Sequence, residues 1–166
     1  MTDVVRTCRA DYANPAHAAA LVALLDAYAR DAMGGGHALS EFARQHVVGA
    51  LAARPQAFSV LAFAGEGDAT PIGLVNCIEG FSTFACKPLV NVHDVVVLDG
   101  YRGQRVGEKM LALVETLARE RGACKLTLEV LQGNAPASRL YERIGFANYQ
   151  LDPAMGNAQL LQKWLD

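Results

Sequence analysis

The 166-residue sequence has no apolar run long enough to cross a membrane. Its opening stretch, MTDVVRTCRADYANP, lacks the charged-then-apolar layout of a signal peptide. A cytoplasmic protein without a membrane partner is expected. Closely paired cysteines are also missing: Cys8, Cys77, Cys86 and Cys124 are scattered, without zinc-site spacing, and are expected to be buried free thiols in a reducing cytosol. There is no excess of basic charge. The formal net charge of −2 gives no bulk attraction for nucleic acid, so no nucleic-acid partner is expected. Neither an internal repeat nor a linker-like stretch breaks the chain, which reads as one domain over residues 1–166. What is there in quantity is apolar: 52% of residues against 19% charged, enough for a compact core.

The chain is organised around residues 101–111, YRGQRVGEKML. Before them, residues 90–98 (VNVHDVVVL) are almost continuously apolar and β-branched, the mark of a strand buried on both faces. After them, Val106, Met110, Leu113, Val114 and Leu117 recur at helical spacing. Residues 102–107 therefore form a strand-to-helix turn with two glycines and two arginines. The first N–H groups of a helix have no partner within it, and the helix dipole is positive there. Glycine lets a ligand approach that backbone, and arginine forks onto phosphate oxygens. A diphosphate cradle built mostly of main chain is one reading; a Gly-rich connection that binds nothing is the other.

Taken in order, residues 4–9 read as a first strand, and Asn14 caps a helix opened by Pro15. That helix is expected to run to Gly34-Gly35-Gly36, and a second, capped by Ser40, to span 40–54. Residues 57–64 (AFSVLAFA) and 71–80 (PIGLVNCIEG) read as a hairpin closed by residues 65–68. Pro88 argues against regular pairing in 81–87. Residues 125–131 should lie beside the central strand. A short helix capped by Asn134 follows over 136–144, and 146–151 with 159–165 read as two closing strands. The order is β-α-α-β-β-β-α-β-α-β-β, an α/β fold with a mixed sheet and helices on its faces.

Arg102-Gly103-Gln104-Arg105-Val106-Gly107 resembles the acetyl-CoA signature of the GNAT N-acetyltransferases, Q/R-x-x-G-x-G/A. Residues 134–146 (NAPASRLYERIGF) resemble their second signature, N-x-x-A-x-x-L-Y-x-x-x-G-F. The two occur in the family's order, on the expected elements, with a strand between them. Arg105 stands where the signature usually has its middle glycine, and is expected to be helical already and so unstrained. Residues 90–107 and 134–141 are also similar to the polyamine and diamine acetyltransferases, whose acidic pair on the central strand reads His93-Asp94 here.

The resemblance implies an acyl-CoA N-acyltransferase fold with a splayed central strand pair, and transfer of an acetyl group from acetyl-CoA to a primary amine by direct attack in a ternary complex. It implies a cofactor site of Arg102, Gly103, Gln104, Arg105, Val106, Gly107 and Glu108 around the diphosphate, and Val95, Val96 and Val97 along the pantetheine, with a donor N–H near Val96 or Val97. Asn134, Ala137 and Tyr141 complete it. His93 is a candidate base, an imidazole titrating near neutrality, and Asp94 acts through water or holds the amine. Alternation along a strand puts these neighbours on opposite faces. Tyr141 resembles the family's general acid; a phenol with a reference pKa of about 10 is a proton donor at neutral pH. Tyr28, Asp31, Glu79, Phe81 and Phe84 are the acceptor-site candidates, with residues 34–37 as a mobile lip over the site. The plainer reading of each carboxylate is a solvated surface charge. No step calls for a metal. The acceptor is a small-molecule amine such as a polyamine or amino acid, and relatives that pair through strand edges make a homodimer an open alternative to a monomer. A peptide or protein N-acetyltransferase and a non-catalytic acyl-CoA sensor remain alternatives. A phosphate-loop nucleotide enzyme is disfavoured, because no Gly-Lys-Ser/Thr follows the glycines.

Overall fold

A computed structural model describes residues 4–66 and 70–165. The chain divides after Leu128 into two compact units. In the first, strands β1 (Val5–Arg9), β2 (Ala57–Ala64), β3 (Thr70–Ser82), β4 (Lys87–Val97) and β5 (Leu126–Leu128) form one sheet in that order. The first four pair antiparallel, and β5 joins β4 in parallel. Helices α1 (Pro15–Arg30) and α2 (Glu41–Ala52) connect β1 to β2, and α3 (Val106–Glu120) connects β4 to β5. The second unit holds α4 (Ala135–Arg143) and a 3-10 turn, Pro153–Met155. Of the hairpin residues expected between β2 and β3, Gly67 and Asp68 lie outside the described residues.

The caps follow from short polar side chains accepting otherwise unpaired N–H groups. Asn14 accepts from Ala16 and His17, and Ser40 from Ala43. The first helix is shorter than expected. It stops at Arg30, because Asp31 leaves helical geometry and accepts from the Met33 N–H, starting a 3-10 turn at Ala32–Gly34.

The core fills both faces of the sheet. Leu61, Phe63, Leu74 and Val96 pack with Leu21 and Leu24 of α1. On the other face α3 buries Val106, Met110, Val114 and Ala118. Truncating one such leucine costs about 2–5 kcal/mol. Gly73 permits that second packing: a Cβ there would lie 2.8 Å from Met110 Cε and 3.1 Å from the Val96 carbonyl oxygen.

Three expectations about strands are overturned. Pro88 lies inside β4, paired with Phe81, so β4 begins at Lys87. The Val90 N–H points to Lys125 and the Pro88 carbonyl accepts from Cys124, so Pro88's missing N–H faces away from β3 and costs that ladder nothing. The strand expected over 125–131 pairs only at Leu126–Leu128. Residues 146–151 and 159–165 are not strands; a backbone bond from the Ala158 N–H to the Tyr149 C=O ties the first stretch to the residue just before the second. Leu151, Leu160, Leu161, Trp164 and Leu165 are exposed. An isolated two-stranded hairpin is marginal without an apolar face to bury, and these residues bury none.

The β3–β4 register shifts between Asn76 and Cys77: Asn76 pairs with Asp94, Cys77 with Val92. His93 is thus an extra residue, a β-bulge in the central strand.

Candidate active site

The bulge divides β4 into two halves. Residues 90–92 pair with both β3 and β5, whereas β5 has no pairing beyond Val92. The Leu98 N–H donates to Ile72 of β3 at 3.0 Å. Antiparallel alternation then turns the Val96 main chain toward β3 as well, and the N–H and C=O of Val95 and Val97 toward the vacated edge. Val95 and Val97 have no strand partner on that side among the described residues. Of the two expected carbonyl-polarising amides, that of Val97 faces the vacated edge, while that of Val96 is committed to the ladder.

Beyond that edge comes the glycine loop. Gly103 has φ 78° and Arg105 φ 61°, with Gln104 between them on the negative side. Alternating φ signs turn successive N–H groups into one concavity, an arrangement suited to anions. A Cβ built on Gly103 meets nothing within 4 Å, so its positive φ and not crowding is what favours glycine there. Arg105 is not helical, contrary to expectation; it precedes α3 in the left-handed region, at a cost of about 1 kcal/mol. The position keeps the conformation that glycine favours, without the glycine. Arg102 is a brace: its Nε donates to the Val97 carbonyl at 3.0 Å, and its other nitrogens meet Asp31 at 3.2 Å and Asp99 at 2.6 Å. Gln104 donates to the Gly100 carbonyl at 3.1 Å. Val106 and Gly107 are buried at the start of α3, and Glu108 follows in its first turn.

His93 and Asp94 share a face, contrary to simple alternation. Asn76 pairs with Asp94 and Ile78 with Asn91, and residues two apart on β3 point the same way. The His93 Nδ1 lies 3.2 Å from Asn91 Oδ1 on that face. Asn91 spends its amide nitrogen on Thr127 Oγ1 at 3.0 Å, so its oxygen meets His93 and the ring's Nδ1 is the donor. A neutral imidazole in this tautomer carries its lone pair on Nε2.

The same face holds Tyr28. Burial first, then the charges of Asp94 and Asp31, push its hydroxyl pKa up, so it stays a neutral donor. Asp31 is held below the ordinary carboxylate range by the Met33 N–H and the Arg102 guanidinium. Glu79 is elsewhere: it pairs with Val90, whose face carries Cys77 rather than Asn76, and meets Arg121 at the end of α3 at 3.0 Å. Phe81 lies about 17 Å along the strand from Asn76 at ~3.4 Å per residue, and Phe84 is in the β3–β4 turn. Tyr28 lies within electrostatic reach of Asp94 and Asp31, and His93 shares the strand face of Asp94; Glu79, Phe81 and Phe84 lie outside that group. Residues 34–37, expected as a mobile lip, are laced to α1: Gly36 N–H donates to the Asp31 carbonyl, and His37 N–H to that of Ala29, both at 3.0 Å. Asp26 anchors the same connection, accepting from the Leu39 N–H at 2.9 Å and pairing with Arg30.

Sequence reasoning missed a polar row beneath α1. Tyr12, Ser59 and Asn76 link to Asp94 in sequence. The available signal was a lone Ser in AFSVLAFA and a lone Asn in PIGLVNCIEG, since polar groups inside apolar strands require partners.

In the second unit, Asn134 caps α4 by accepting from the Ala137 N–H at 3.3 Å. Tyr141 is buried, with the Phe146 ring edge-on at 5.9 Å. Gly145, at φ 104°, ends the helix in a conformation L side chains rarely adopt.

Residues 18–146 match the model of the acetyltransferase (GNAT) family. A streptothricin acetyltransferase of Streptomyces lavendulae is 37% identical over 87 residues, 51% of this chain and 46% of that protein. An L-methionine sulfoximine/L-methionine sulfone acetyltransferase of Pseudomonas paraeruginosa is 32% identical over 116 residues, 70% of this chain and 59% of that protein. The chain spans about half the length of these curated relatives. Among solved structures, a probable acetyltransferase superposes with a TM-score of 0.78 at 25% identity, covering 96% of this chain and 99% of the other. The aminoglycoside N-acetyltransferase AAC(6')-Iy in complex with CoA shares the fold, with a TM-score of 0.73 at 16% identity over 98% of this chain and 97% of that one. The fold, the glycine loop and the matched family model agree: the chain belongs to the GNAT acetyltransferase family.

Proposed function

We propose that this chain transfers an acetyl group from acetyl-CoA to a primary amine of a small, cationic molecule. The observation that carries the reading is the bulge at His93, which sets an imidazole and a carboxylate on one face of a strand whose neighbouring edge is open. The residues fit the cofactor. The concavity of residues 103–105 would take its diphosphate, with Arg105 as the adjacent cation, and the Val95 and Val97 edge would pair with the amides of its pantetheine arm. Bound acetyl-CoA supplies an acyl thioester. The Val97 N–H, facing that edge, would stabilise the negative charge that develops on the carbonyl oxygen, a role typically worth ~3 kcal/mol. Asp94 holds and orients the acceptor's ammonium, and Tyr28 adds a neutral hydroxyl beside it. His93 Nε2 takes the proton that the amine must lose before it can attack. Asn134 and Ala137 contribute to the cofactor site, and the Tyr141 hydroxyl returns a proton to the departing thiolate.

The family match over residues 18–146 crosses the boundary between the two units, which supports a single functional domain over residues 1–166. Three carboxylates or phenols on one side of the sheet favour a small polycationic acceptor, and the named activities of the relatives concern small amines. The test is thiol release from acetyl-CoA with streptothricin, L-methionine sulfoximine, sisomicin, spermidine and a short peptide. Turnover with at least one small amine is expected, and Tyr141→Phe should lower kcat roughly 100-fold while leaving CoA affinity unchanged. Binding of CoA without turnover on any acceptor would replace the catalytic reading by a non-catalytic acyl-CoA sensor.

A further inference from the structure

Ser59, Asn76 and Asp94 are direct cross-strand neighbours: Ser59 pairs with Asn76, and Asn76 with Asp94. They form one polar row across β2, β3 and β4. The next row on that face is Leu61, Leu74 and Val96, all in the apolar core. Ser59 and Asn76 are buried, at 0% and 4% exposure, where valine or leucine would pack at less cost. The donors can be assigned in order. Ser59 Oγ donates its single proton to Asn76 Oδ1 at 2.6 Å. The bond between Tyr12 and Ser59, 2.8 Å long, must then be donated by the Tyr12 hydroxyl. Asn76 Nδ2 donates to Asp94 Oδ2 at 3.0 Å. Every proton in the row points toward Asp94. With the Asn76 amide reversed, its oxygen would face a carboxylate that only accepts, so Asp94 fixes its direction and Ser59 supplies the proton that completes the arrangement.

We propose that Asn76 is a positioning residue for acyl transfer, which, locked by Ser59 and Tyr12, holds the Asp94 carboxylate with Oδ2 engaged and Oδ1 presented to the acceptor's ammonium. An amide does not pass a proton along under ordinary conditions, so the row orients and does not conduct. Each bond polarises the next, which strengthens the last one, to the carboxylate. The inference rests on the role given above to Asp94.

The experiment is a double-mutant cycle on kcat/KM, using whichever of streptothricin, L-methionine sulfoximine, sisomicin or spermidine turns over fastest with the parent chain. Asn76→Leu is close in volume and removes the donor. A loss of roughly 10- to 100-fold is expected, the usual worth of a hydrogen bond to a charged group, carried mainly by KM. Ser59→Ala removes the proton donated to Asn76 Oδ1 and should cost less, and Tyr12→Phe least. CoA affinity should stay at the parent value in all three. In an Asp94→Ala background, Asn76→Leu should have no further effect, because the acceptor of its hydrogen bond is gone. A purely structural Asn76 would instead cost the same in both backgrounds, and that result overturns the inference; so does full activity of Asn76→Leu. If Asn76→Leu does not fold, the same cycle with Ser59→Ala decides between the two roles. An Asp94→Ala chain as active as the parent would sink the role of Asp94 itself, and a parent inactive on all four amines would sink the functional reading. Those failures are distinguishable from the first.

Discussion

Two stretches of the same strand behave oppositely. Residues 90–92 of β4 are held between β3 and β5, with Val90 and Val92 buried. Residues 95–97 keep one partner and leave the other edge to be filled. Both are valine-rich, so hydrophobicity does not separate them. The difference is the extra residue at His93 and the early end of β5. Bulges bend a strand and increase its twist, and here pairing ends at the bend. A buried strand becomes a binding edge through one inserted residue, and that residue is also the proposed base.

Deleting His93 should break the contrast most completely. Val92 and Asp94 already face adjacent residues of β3, Cys77 and Asn76, so the deletion regularises the ladder without moving the register. The shortened chain is expected to fold, to extend its β4–β5 pairing, and to lose both turnover and CoA binding. His93→Ala keeps the bulge, and should lose turnover roughly 100-fold or more while binding CoA normally. Calorimetry beside thiol-release kinetics separates the two.

The glycine loop sharpens the comparison from the other side. Gly103→Val forces a β-branched residue onto a φ of 78°, distorts the loop's N–H groups, and should weaken CoA binding roughly tenfold, the worth of one charge-assisted hydrogen bond. Arg105→Gly acts in the opposite sense on stability. It removes left-handed strain of about 1 kcal/mol and should raise Tm by roughly 2–4 °C, while losing part of the affinity for CoA.

Much of this arrangement is legible in the residues. β2 runs from Ala57 to Ala64 as its apolar stretch implies, and the Asn14, Ser40 and Asn134 caps sit where short polar side chains precede helical periodicity. Local signals of that kind carry their own physics. The bulge has no such signal, because VNVHDVVVL reads as a regular strand until β3 supplies the register. For the same reason, alternation puts His93 and Asp94 on opposite faces. Arg105 departs from the helical expectation because its backbone is dictated by the loop that both its neighbours must close. The C-terminal residues 146–165 show the converse limit. Their pattern suits strands, but a strand needs a partner, and none pairs with them among the described residues.

The smallest expected effect concerns the brace across the loop. Asp31 has its pKa drawn below 3.8 by the Met33 N–H and by Arg102. A lowered carboxylate pKa means stability that is present above the unfolded value and is lost as pH falls through the folded one. The pair is largely solvent-exposed, so the contribution is small. Asp31→Asn should therefore lower Tm slightly at pH 7, and by less as the pH falls below the ordinary carboxylate range, in thermal melts across that range.

The central claim is that the vacated edge of β4 grips the cofactor. Amide hydrogen exchange of Val95 and Val97, followed by NMR with and without CoA, tests it most directly. Both amides should slow markedly when CoA is added, while Val96, already bonded to β3, changes little. Exchange at Val95 and Val97 unaltered by saturating CoA would contradict the account.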